Sequence, residues 1–127
     1  MVHILLIALG GAIGALARYW LSALVDARLG GNFPWGTLVV NFTGAGVIGL
    51  LAGLWLVAGG AYGPVWAFFV IGVLGSYTTV SSFSLQTLEL FQAGRFMAAA
   101  GLAALSLAGC LMLAAGGYFL ITTLAGA

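Results

Sequence analysis

The sequence predicts an all-α membrane protein of four transmembrane helices, the third broken near its middle. Three observations carry this reading. Of the 127 residues, 64% are hydrophobic and only 4% charged, with a mean hydropathy of +1.25. A soluble domain carries about 25% charged residues, so this chain cannot dress a water-facing surface. The apolar residues fall into four runs, each long enough for the roughly 20 residues of helix that cross a bilayer core. Only the third run holds a dense cluster of hydroxyl side chains at its centre.

The same inventory excludes other classes. The charged residues are Arg18, Asp26, Arg28, Glu89 and Arg95. Scattered arginines with no lysine do not make a nucleic-acid surface, so no nucleic-acid partner is expected. His3, Cys110 and two acids are too few for a clustered metal site of the His/Cys/carboxylate kind. One cysteine cannot close an internal disulfide. No nucleophile–base pair is in view, and little chain remains outside the spans, so no enzyme is expected.

The first span covers about residues 4–25 and ends at the polar stretch 26–32. Its apolar run is too long for a signal peptide, lacks a basic start and contains Arg18, so it reads as a retained helix. The second covers 35–57 and stops at the glycine-rich loop 58–64. The third covers 65–91 and is followed by the turn Gln92-Ala93-Gly94-Arg95; the fourth covers 96–124. Together they make one transmembrane domain over 1–127. Strands are a poor alternative, because a membrane barrel alternates apolar and polar residues and these runs are apolar on all sides. Asn41, Ala45, Gly49 and Gly53 place small residues on one stripe of the second helix, a pattern that serves packing within a subunit or between two copies.

Polar groups at membrane depth are costly, and so they are where function is sought. Asn41 lies in the second span, followed by Thr43. The third carries Gly75-Ser76-Tyr77-Thr78-Thr79-Val80-Ser81-Ser82-Phe83-Ser84, weak helix formers directly after glycine. A broken helix fits this segment better than a continuous one. Unwound backbone survives at that depth only when buried in protein or facing a polar cavity. Its free carbonyls suit a small hard cation and its free N–H groups an anion. Ser106 and Cys110 stand one turn apart on the fourth span and face one direction. Neutral donors of this kind can replace the water shell of a small anion without trapping it, as conduction requires. Phe83 adds an electropositive ring edge.

Gly36-Thr37-Leu38-Val39-Val40-Asn41, the segment from Gly75 to Ser84, and the opening Gly10-Gly11-Ala12-Ile13-Gly14-Ala15-Leu16-Ala17-Arg18-Tyr19 resemble the signature stretches of the Fluc/CrcB fluoride channels, over essentially the whole chain. The resemblance implies passive export of fluoride across the bacterial inner (plasma) membrane by an antiparallel, dual-topology dimer with two narrow pores. It places the pore asparagine on Asn41, the second pore phenylalanine on Phe83, the fourth-helix pore serine on Ser106 and the helix-one arginine on Arg18. The hydroxyls of Thr43, Thr79, Ser81, Ser82, Ser84 and Ser106, read from the residues themselves, supply the donor track, joined by Cys110 where a serine is often found. A structural sodium ion at the dimer centre would be held by the backbone carbonyls of Gly75 and Thr78. Two positions depart from the pattern: Val80 stands where the first pore phenylalanine is expected, and Gln86 where a glutamate is usual.

Both arginine-bearing loops lie on one side of the membrane, and the other side is uncharged apart from the amino terminus and His3. The positive-inside rule then favours both termini outside, though on very few charges. Two pairings follow: two identical subunits inserted in opposite senses, or a subunit of fixed orientation beside an oppositely oriented homologue. A small multidrug exporter shares the four short helices, but it needs a carboxylate inside the first helix to exchange protons, and none is there.

Overall fold

The computed structural model describes residues 1–60 and 63–126. Four spans are apolar and long enough to cross a membrane, Val2–Leu29, Trp35–Val57, Pro64–Gln92 and Phe96–Leu124. We label the helices α1 (Val2–Leu29), α2 (Trp35–Val57), α3 (64–77), α4 (Val80–Gln92) and α5 (Phe96–Leu124). The third span is thus two helices, α3 and α4, separated at Thr78 and Thr79. Of the glycine-rich loop expected over 58–64, residues 61 and 62 lie outside the described residues.

Local chemistry sets the ends. The Asp26 carboxylate on α1 accepts from the Gly36 N–H at 2.8 Å, satisfying a free donor in the first turn of α2. α4 closes through Gly94, whose φ of +74° only glycine adopts freely. There the Arg95 N–H reaches the Leu90 carbonyl at 2.9 Å, a glycine-terminated helix end. Arg95 also donates from its guanidinium to the Asn32 carbonyl, which ties the two arginine-bearing loops together at one end of the bundle.

Packing is by backbone approach. α2 lies along α5 and α1 along α3, with α1 and α2 joining the two pairs. A Cβ on Gly49 would overlap the Ala114 carbonyl, and one on Gly53 would reach Ile121 Cβ at 2.8 Å. Gly49 and Gly53 of the small-residue stripe therefore pack within the subunit, whereas Asn41 and Ala45 of the same stripe line a cavity beside the third span. Glycines 10 and 14 are the only buried residues of α1, and they sit against the backbone of α3. Leu38, Leu90, Ala99 and Leu102 form a small core between α2, α4 and α5, and Phe42 and Phe83 pack on it. Most other large apolar side chains face outward, as a lipid-facing surface requires.

Candidate functional site in the break of the third span

The break sits at the middle of a 29-residue span, with about 20 Å of helix on either side. Thr78 (φ −70°, ψ 150°) and Thr79 (φ −142°, ψ 118°) are extended. Upstream, residues Ala67–Leu74 wind in wide π-helical turns, so that the Gly75 N–H reaches back to the Val70 carbonyl. Such turns are rare and concentrate at functional sites.

Side chains hold the break open by capturing backbone groups. Asn41 Oδ1 accepts from the Thr79 N–H at 2.8 Å, and Asn41 Nδ2 donates to the Thr79 carbonyl at 3.0 Å. In an unbroken helix that N–H would go to the Gly75 carbonyl. Thr79 Oγ1 accepts from the Ser82 N–H at 3.1 Å as the N-cap of α4. That N–H, in turn, would otherwise serve the Thr78 carbonyl. Two carbonyls are thereby freed, at Gly75 and Thr78. Thr79 Oγ1 also shares hydroxyl bonds of 3.1 Å with both Ser81 and Ser82. Beside it, Gly44 makes room for Thr78: a Cβ there would collide with the threonine methyl.

A cavity of about 670 Å³ opens on the break. Asn41, Gly75, Thr78, Thr79, Val80, Phe83, Ser106 and Cys110 all line it, drawn from α2, both halves of the third span and α5. No charged side chain lines it. Ser106 is 8% exposed, and its hydroxyl has no partner among the described residues. An unmet buried hydroxyl costs about 1–3 kcal/mol, so Ser106 is a costly polar group on α5 next to the cavity. Phe83 is half-buried between this cavity and the core. Val80, 77% exposed, offers a branched aliphatic group and no ring edge.

Ser81 and Ser82 do not line that cavity. Ser82 belongs to a second one of about 260 Å³, with Arg18, Ser22 and Thr37. Thr79, 5% exposed, is the residue common to both linings and stands between the two spaces. Sequence reasoning missed this second space. Its signal was the i, i+4 pair Arg18 and Ser22, one face of α1. Thr43 is engaged elsewhere, bonding its own helix and lying 2.7 Å from the Tyr77 hydroxyl. Gln86 lines a third space at the loop end with Asp26, Glu89 and Arg95; its Oε1 is buried without a partner among the described residues.

The arrangement has two electrical faces. The N-terminus of α4 presents unpaired N–H groups and the positive end of its dipole, whereas the end of α3 presents carbonyl oxygens. An interrupted membrane helix of this kind binds anions at the first and small cations at the second. Fold and site together define a class: a small multi-pass membrane protein built around an interrupted span with an uncharged, largely apolar cavity beside it.

Within that class the chain belongs to the CrcB-like family. Residues 5–118 match the family described as "CrcB-like protein, Camphor Resistance (CrcB)". Among its relatives, a protein of Rhodospirillum rubrum named fluoride-specific ion channel FluC is 50% identical over 110 residues, covering 85% of each chain. One of Bradyrhizobium diazoefficiens, named fluoride-specific ion channel FluC 2, is 44% identical over 125 residues, covering 97% of this chain and 91% of its own. A third, of Thermus thermophilus, also named fluoride-specific ion channel FluC, is 51% identical over 94 residues, covering 74% of each chain.

Proposed function

We propose that this chain is a subunit of a fluoride-selective channel of the bacterial plasma membrane, letting fluoride leave the cell down its gradient. The observation that carries the reading is the mid-membrane break, held open by Asn41 and Thr79, beside an uncharged cavity whose few polar groups are neutral. Relatives named as fluoride-specific channels supply the ion's identity. Neutral donors can replace the shell of a small, strongly hydrated anion while still releasing it, which a buried guanidinium would resist. In this reading Ser106, Cys110, Asn41 through its remaining amide hydrogen, the Phe83 ring edge and the hydroxyls of Thr79, Ser81 and Ser82 take turns as ligands. Val80 contributes only an apolar wall.

The functional unit is an antiparallel dimer. The freed carbonyls of Gly75 and Thr78 are neutral hard oxygens, which fits a sodium ion. One chain offers too few of them for a complete shell, so the ion would bind between two copies and lock them together. The partner in this reading is a second copy of the chain; arginines on one end of the bundle alone favour a fixed orientation, which makes an oppositely oriented homologue the alternative partner. Labelling of single cysteines placed in the 30–34 loop from each side of the membrane separates the two pairings. Accessibility from both sides supports the self-pair, and from one side the mixed pair.

The central test is ion efflux from liposomes holding the purified chain. Fluoride should leave at least about a hundredfold faster than chloride, through a pore rather than by carrier cycling. Fluoride loss at the rate of protein-free vesicles would overturn the reading.

A further inference from the structure

We propose that Tyr77 is a positioning residue for the break: its hydroxyl, donated to Thr43, fixes the end of α3 on α2 and so aims the freed carbonyls of Gly75 and Thr78. The first half of this statement stands on geometry alone. The second rests on the cation reading of those carbonyls given above.

The Tyr77 hydroxyl lies 2.7 Å from Thr43 Oγ1. Thr43 turns its single hydroxyl hydrogen back to its own helix, with the Val39 carbonyl at 2.8 Å and the Val40 carbonyl at 3.1 Å. Only its lone pairs are left for Tyr77, so the phenol O–H is the donor. Thr78 does not make this tie, because its Oγ1 donates to the Leu74 carbonyl of α3 at 3.0 Å. Among the described residues, Tyr77 therefore carries the one side-chain hydrogen bond that joins segment 75–78 to another helix.

The break is gripped from both flanks. Asn41 and Thr43 are two residues apart on α2, so they do not face one direction. Asn41 holds Thr79 after the break, and Thr43 holds Tyr77 before it. The chain between them passes over Gly44, where a Cβ would stand 3.2 Å from Tyr77 Cδ1 and collide with the Thr78 methyl. On the far side α1 closes in, for a Cβ on Gly14 would come within 3.1 Å of the Tyr77 nitrogen. Thr78 is extended, so rotation there would swing the end of α3 and leave the Asn41–Thr79 pair in place. The Tyr77–Thr43 bond opposes that rotation.

Amide exchange, followed by NMR on the isotope-labelled chain in lipid nanodiscs, tests the tie. The reporter is the Thr78 N–H, which the Leu74 carbonyl accepts at 3.1 Å. Its exchange should speed by about fivefold or more in Tyr77→Phe and in Thr43→Val. The Thr79 and Ser82 N–H groups, still held by Asn41 and Thr79 Oγ1, should stay within about a factor of two. Joining the two substitutions should add nothing to either alone, and Thr43→Ser should match the native chain. The aim of the carbonyls is read with sodium itself, by thermal unfolding in sodium chloride against choline chloride. The sodium concentration giving half of the stabilisation should rise by about fivefold or more in Tyr77→Phe. Unchanged Thr78 exchange in both variants overturns the tie. Faster exchange spread evenly over both flanks overturns positioning and leaves Tyr77 a packing residue. Faster Thr78 exchange with an unchanged sodium response overturns the aiming of the carbonyls. A native chain that sodium does not stabilise defeats the cation reading and the second half with it, and exchange then still decides whether Tyr77 holds the break.

Discussion

The α2–α5 crossing and the break between α3 and α4 are both built from small residues at membrane depth, yet they behave in opposite ways. At the crossing, Gly49 and Gly53 let two uninterrupted helices approach until backbone meets backbone. Both helices run through the crossing without a break. At the break, the small residues carry hydroxyls and face Asn41. The Thr79 N–H and carbonyl go to Asn41, the Ser82 N–H goes to Thr79 Oγ1, and the helix opens onto a cavity. Small size alone permits close packing. An interruption needs side chains that can take over backbone hydrogen bonds, because lipid offers no water to do so.

Exchanging that capture chemistry is the sharpest way to break the contrast. Asn41→Asp keeps an acceptor for the Thr79 N–H, loses the donor to its carbonyl, and puts a negative charge beside the anion path. A charge at membrane depth costs about 2.5–3.5 kcal/mol, so fluoride efflux from vesicles should fall by about two orders of magnitude. Efflux equal to the native rate would remove Asn41 from the passage. Thr79→Ala tests the cap on α4. Losing such a cap costs about 0.5–2 kcal/mol, and efflux should drop by about tenfold, with Thr79→Ser recovering most of it. Equal loss in both variants would mean that the methyl, not the hydroxyl, matters.

Gly49→Ala probes the other side of the comparison. The added methyl meets the Ala114 backbone, and overpacking of this kind costs about 1–3 kcal/mol, read as a lower unfolding temperature in detergent. The surviving folded fraction should pass fluoride within about a factor of two of the native rate, since no polar group at the break has changed. A large loss of efflux per folded chain would show that crossing and break are mechanically coupled.

Much of this was legible in advance. The four spans follow from runs of apolar residues, and the interruption follows from hydroxyls crowding after Gly75. The shared facing of Ser106 and Cys110 was expected from helical spacing, and their meeting with Asn41 and Phe83 at one cavity from the family resemblance. The partition of the hydroxyl track was not: Ser82 opens on the Arg18 side of the break, and Ser81, bonded to Thr79, is exposed and lines neither space. One residue past the extended break changes the side on which a hydroxyl emerges, and periodicity cannot resolve that. The π-helical turns of 67–74 were likewise invisible, because the residues there are ordinary apolar helix and strand formers. Their winding accompanies close contact with α1, where a Cβ on Gly10 would reach the Phe68 carbonyl at 2.5 Å.

The sequence by itself determined that this chain lives in a bilayer, how many times it crosses, and which crossing carries the polar groups. Those are consequences of transfer free energy and composition, summed residue by residue along the chain. Only the tertiary structure decided which backbone groups are released at the break. The deciding hydrogen bonds join Asn41 to Thr79 across 38 residues, and a pairing between distant segments depends on how the helices dock, which no local pattern encodes.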